Sequence, residues 1–219
     1  MLSVVLFDLD GTLVDTMPAF AAVAASVMHR HYGLPLAEAR ERYRRTSGIP
    51  FRHQLRELFG ADPRNHVADA EFERGKDPLV RAARLELRTL HALRSLRAGG
   101  LRLVISSNAA QRHVDRIAAS CPGLFACALG DGPDGGKGES HVARVCHALS
   151  VQRTELVFVG DSLRDHELAA SASITFVARV GTFARSLWRA RFPRTAIIDH
   201  LDELPSLLTT MQPSRQESA

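Results

Sequence analysis

Asp8-Leu9-Asp10-Gly11-Thr12 places two carboxylates two residues apart, directly after the apolar run Val4-Val5-Leu6-Phe7. A run of that kind reads as a buried strand, so both acids emerge where strand gives way to loop, and Gly11 permits a sharp turn there. One carboxylate so placed can attack a substrate as a nucleophile, and its neighbour can move a proton. Like charges held this close need a cation or a proton to coexist, so the pair also predicts a metal. Three further segments carry complementary groups. Ser106-Ser107-Asn108 offers hydroxyls and backbone N–H groups that can cradle a phosphate at a helix N-terminus. Lys137, one of only two lysines in the chain, lies in Gly135-Gly136-Lys137-Gly138 ahead of a helical stretch, where it can act as a compact charge on an anion. Gly160-Asp161-Ser162-Leu163-Arg164-Asp165 spaces two carboxylates four apart, on one face if a helix begins near Ser162. Oxygen ligands of this kind suit Mg²⁺, a hard cation that takes few protein ligands and keeps waters.

These groups need a scaffold that brings them together. Strand signals recur at 3–8, 101–106, 125–129, 156–161, 174–178 and 196–198, with helical stretches between them. Val142, Val145, Cys146 and Leu149 fall at i, i+3, i+4 and i+7, one apolar face of an amphipathic helix. Strand alternating with helix predicts an α/β fold: a Rossmann-like parallel sheet with helices on both faces, whose ligands bind beyond the carboxyl ends of the strands. One region breaks the rhythm. Between residues 15 and 84 there is no strand signal, while Phe20, Val23, Ala24, Val27 and Met28, and then Phe51, Leu55, Leu58 and Phe59, repeat at helical spacing. This predicts an inserted α-helical cap at 15–84, a core at 1–14 and 85–211, and a polar tail at 212–219. An insertion there leaves and re-enters the core beside the paired aspartates and can close over a site.

The order Asp-x-Asp-Gly-Thr, an apolar strand ending in Ser, Lys before a helix, and Gly-Asp-Ser-x-x-Asp resembles the four motifs of the haloacid dehalogenase superfamily of phosphohydrolases. The helical insertion resembles that family's small cap, as in its phosphoglycolate phosphatase and β-phosphoglucomutase-like members. The resemblance implies a phosphatase acting on a small phosphorylated metabolite through a phospho-aspartate. Asp8 would be the nucleophile. Asp10 would protonate the leaving group and then activate water. Ser106 and Lys137 would bind the transferring phosphoryl group. Asp161 would ligate Mg²⁺ with Asp8 and the backbone carbonyl of Asp10, and Asp165 would be a further ligand or hold a metal-bound water. Thr12, Ser107 and Asn108 are expected nearby as phosphate contacts. Arg45 or Arg52, flanking Gly48-Ile49-Pro50 in the insertion, is expected to meet the rest of the substrate. Phosphoryl transfer asks the protein mainly for positioning and charge stabilisation.

Composition narrows the alternatives. The net charge of +4 comes from dispersed arginines with no basic cluster or recognisable module, so no nucleic-acid partner is expected. No apolar run reaches membrane-spanning length, and no signal peptide is read at the N-terminus. Cys121, Cys127 and Cys146 form neither a metal-ligand spacing nor a disulfide framework, which fits a reducing cytoplasm. Rival readings are a sugar-phosphate phosphomutase and a regulatory protein on the same fold. A halide-releasing enzyme is disfavoured because Asp10 is present, and a phosphonate-cleaving one because Lys76 is its sole cap lysine and lies late in the insertion. Monomer and dimer are not distinguished.

Overall fold

The computed structural model describes residues 1–133 and 135–211; the expected polar tail lies outside the described residues. Six strands form one parallel sheet: β1 (Val4–Phe7), β2 (Arg102–Ala110), β3 (Cys127–Asp131), β4 (Leu156–Gly160), β5 (Thr175–Arg179) and β6 (Ala196–Ile198). Their spatial order is β3-β2-β1-β4-β5-β6. The order reverses between β1 and β4, and the crevice beyond the strands at such a point is where open α/β sheets bind ligands. The predicted fold class is the observed one.

Side-chain alternation divides the sheet's two faces. Val5, Phe7, Leu103, Ile105, Val157 and Val159 pack against α5 (Leu87–Ala98), α6 (Gln111–Ala119) and α10 (Leu204–Met211). Val4, Leu6, Val104, Leu156 and Phe158 face the other way, against α7 (Glu139–Leu149) and α8 (Leu163–Ser171). Strands buried on both faces have no polar side to show, which is why β1 and β4 read as continuous apolar runs. Trp188, on α9 (Arg185–Arg191), is fully buried with Ala178 and Phe183, so it belongs to the interior.

Between β1 and β2 lie α1 (Met17–Tyr32), α2 (Leu36–Arg45), α3 (Phe51–Phe59) and α4 (Arg64–Ala82), with no strand, before α5 returns the chain to the sheet. These four helices share a hydrophobic cluster of their own: Phe20, Ala24, Met28, Tyr43, Phe51, Leu55 and Phe72 are all buried in it. Gly33, in the left-handed region at φ 72°, ends α1. The unit touches the sheet's carboxyl end through the loop at Gly48. The Asn108 side-chain amide donates to the Gly48 carbonyl at 2.9 Å. Gly48 itself has φ 96°, and a Cβ there would lie 2.6 Å from Ser162 Oγ and 2.7 Å from Arg164 Cβ. Only glycine allows this approach.

Candidate active site

Asp8 leaves the end of β1 and is anchored by its own backbone N–H, which donates to the Val159 carbonyl of β4 at 2.9 Å. Gly11, at φ 89°, turns the chain so tightly against Asp161 that a side chain there would clash with its carboxylate. Asp161 follows β4 directly, so the central strand pair delivers both acids to one point. Asp165 arrives differently. Ser162 caps α8 by accepting from the Asp165 backbone N–H through Oγ (3.1 Å), and Asp165 Oδ2 accepts from the Ser162 N–H (3.1 Å). This reciprocal cap fixes the carboxylate facing the sheet. The four-residue spacing of Asp161 and Asp165 therefore works through a capping box and not through one helical face.

Carboxylate oxygens of Asp8, Asp161 and Asp165 lie within 4.8 Å of one another, all buried. Lys137 enters among them from the glycine-rich loop before α7. Its Nζ is 2.5 Å from both Asp8 Oδ1 and Asp165 Oδ1, and its side chain is only 3% exposed. Burial alone depresses an ammonium's pKa, but the Asp165 and Asp8 carboxylates outweigh it and hold Lys137 above its ordinary value. One lysine does not balance three acids. Burial lifts the Asp8 pKa well above the usual carboxylate range, with Lys137 opposing and Asp165 and Asp161 adding to the rise. Burial, then Asp165, pushes Asp161 up to about 6, against hydrogen bonding from Thr182. Buried carboxylates with an uncompensated charge and oxygen donors only form a set that fits a hard divalent cation.

Asp10 stands apart from this cluster. Its Oδ1 accepts from Thr16 Oγ1 at 2.6 Å, and burial raises its pKa despite that bond. Asp8, Asp10, Asp161 and Asp165 all line a cleft of about 170 Å³ together with Lys137, Ser107 and Asn108. The helical unit supplies the opposite wall, including Tyr43, Gln54, Phe72 and Lys76. Arg52 sits at its rim, 3.6 Å from Asp131 at the end of β3.

Three expected contacts are not in this cleft. Ser106 is the first correction. β2 does not stop there but runs on to Ala110, and alternation along it turns Ser106 to the face of Val104, where its hydroxyl meets His141 Nδ1 of α7 at 2.9 Å. Ser107 is the hydroxyl that lines the cleft, its Oγ accepting from the Ala109 N–H at 3.0 Å. Thr12 is the second: it is buried behind the cleft, its Oγ1 3.5 Å from Asp161 Oδ1. Arg45 is the third, exposed at the end of α2 and outside the cleft. Sequence reasoning missed Thr182, whose backbone N–H (3.3 Å) and hydroxyl both donate to Asp161 Oδ2. It also missed Tyr43, whose phenol is held neutral by burial and by the nearby Asp10, Glu73 and Asp161 charges. Neither has a sequence signal, since both come from segments distant in the chain.

A family model described as haloacid dehalogenase-like hydrolase matches residues 2–173. The chain belongs to the haloacid dehalogenase-like hydrolase family, and the class of enzyme is phosphoric monoester hydrolase. A curated relative, the phosphoglycolate phosphatase of Chromobacterium violaceum, is 32% identical over 188 residues, covering 80% of this chain and 83% of that protein. Solved structures share the fold. A haloacid dehalogenase-like family hydrolase from Streptococcus pneumoniae has a TM-score of 0.77 at 18% identity, covering 96% of this chain and 99% of the other. A predicted phosphatase from Clostridium acetobutylicum has a TM-score of 0.78 at 18% identity, with the same coverage. No described helix is long and apolar enough to cross a membrane.

Proposed function

We propose that this phosphatase is Mg²⁺-dependent, hydrolyses a compact phosphorylated hydroxy acid such as 2-phosphoglycolate, and passes its phosphoryl group through Asp8. The observation that carries the reading is the Asp8 carboxylate held 2.5 Å from a buried lysine and within 4.8 Å of Asp161 and Asp165, with Asp10 in the same cleft. Asp8, Asp161 and Asp165 would hold the ion, with the Asp10 backbone carbonyl; it would supply positive charge for the phosphoryl oxygens.

An Asp8 oxygen attacks phosphorus, the phosphorus–oxygen bond to the leaving group breaks, and Asp10 gives that oxygen its proton. The acylphosphate is then hydrolysed by a water whose proton Asp10 takes. The raised pKa of Asp10 lets a carboxyl group carry the proton the first step needs. Lys137 neutralises Asp8 against the dianion it must meet, and Ser107 and Asn108 donate to the transferring oxygens. Residues 15–84 act as a cap: Arg52, 3.6 Å from Asp131, and Lys76, 2.6 Å from Glu73, line the cleft from it. The substrate class follows the curated relative at 32% identity.

Turnover of 2-phosphoglycolate and of p-nitrophenyl phosphate, with Mg²⁺ and with EDTA, tests the reading. Activity is expected only with the ion, and Asp8→Asn is expected to reduce kcat by roughly 10³-fold or more while leaving the fold intact. Acid-quenched wild-type protein should carry one added phosphoryl group on Asp8. Full activity in EDTA or in Asp8→Asn would refute the mechanism, and a metabolite panel in which 2-phosphoglycolate ranks low would refute the substrate.

A further inference from the structure

A second cavity lies on the far side of the Gly11 and Thr182 loops from the catalytic cleft, at the seam between α1, α2 and the end of β5. Its volume is about 600 Å³, larger than the cleft itself, and Arg40, Arg44 and Arg179 line it with Asp15. Arg40 and Arg44 are one helical turn apart on α2 and so share a face. Arg44 pairs with Glu41 at 3.7 Å and the Arg179 charge acts on Asp161, while among the described residues neither Arg40 nor Arg179 has an acidic partner within ion-pair distance, and the Arg179 Nε is buried with no hydrogen-bond partner. Arg179 donates to the Gly11 carbonyl, and Arg44 Nη2 to the Thr182 carbonyl at 2.6 Å. Pro18 and Ala21 of α1 give the cavity an apolar wall.

We propose that this cavity is a second ligand site, which binds a small organic phosphate outside the catalytic cleft. Three guanidinium groups against the Asp15 and Glu41 carboxylates leave an excess of about one positive charge for an anionic phosphate group, and guanidinium donors suit its oxygens. The volume exceeds what inorganic phosphate fills, and the organic portion lies against Pro18 and Ala21. Because the same arginines hold the Gly11 and Thr182 carbonyls, occupancy acts on the loops that carry Asp10 and position Asp161. The site does not depend on the chemistry assigned to the cleft.

Arginine Nε–H resonances of the full chain, recorded in EDTA to prevent turnover, read both sites at once, with Arg52 reporting the cleft. Ribose 5-phosphate should shift Arg40, Arg44 and Arg179 together along one saturable curve, and inorganic phosphate should do so about tenfold more weakly. Arg40→Glu, at an exposed position, should weaken that curve about tenfold or more and leave the Arg52 response in place. Shifts confined to Arg52, or a curve unaltered by both Arg40→Glu and Arg40→Gln, would overturn the site. Equal affinity for the two probes would overturn the organic phosphate as its occupant.

Discussion

Ser106 and Ser107 are adjacent and chemically identical, yet strand alternation gives them opposite surroundings. Ser107→Ala is expected to lower kcat/KM about ten- to hundredfold, because it removes a donor at the transferring phosphoryl group. Ser106→Ala should leave kcat/KM nearly unchanged and cost about 1–2 kcal/mol in urea unfolding, since it strands the buried His141 Nδ1. The reverse ranking would invert the assignment. His141 also carries a pH signature. Burial lowers its pKa to about 4 from the ordinary histidine value. The folded state therefore refuses a proton that the unfolded chain accepts, and His141 erodes stability as pH falls from about 6.5 to about 4. His141→Gln should flatten that part of the stability–pH curve. Identical slopes in the two proteins would show that His141 makes no such contribution.

Helices α1 to α4 close the cleft without sharing the sheet's core, so their seat on the sheet rests on a few contacts. Gly48 is central among these, with Asn108 donating to its carbonyl and Ser162 and Arg164 packed where a Cβ would go. Gly48→Ala should keep the helical content measured by circular dichroism but raise KM about tenfold, because the loop can no longer approach Ser162. Unchanged KM would mean that this approach is not needed for substrate capture. The existence of the four helices was readable from their apolar spacing and the glycine-proline punctuation between them. Which of their residues face the cleft was not: Arg45 and Arg52 look alike in the chain, but Arg45 lies on the exposed end of α2 while Arg52 lies in the first turn of the next helix, over the cleft.

For the molecule as a whole, a cation among the buried acids would couple ion binding to folding. Asp8 and Asp161 both have raised pKa values because burial disfavours their charges. Mg²⁺ at a hundredfold excess over its Kd is expected to stabilise the protein by about 2.7 kcal/mol, visible as a higher Tm. Asp161→Asn should abolish most of that increment while raising the Tm of the ion-free protein, since it removes one of the crowded charges. An equal Mg²⁺ response in the variant would place the ion elsewhere.

Local patterns in the chain were enough to specify the number and order of the strands, their alternation with helices and the run of helices between the first two strands. Periodicity and strand–loop boundaries are properties of neighbouring residues, so they survive without coordinates. Tertiary structure decided what depends on two distant segments meeting: that β1 and β4 are neighbours, that Thr182 secures Asp161, that Tyr43 and Lys76 wall the cleft, and that Ser107 instead of Ser106 reaches it. The length of β2 mattered most for that last point, because its register against β3 is set by pairing across the sheet and not by the residues of β2 alone.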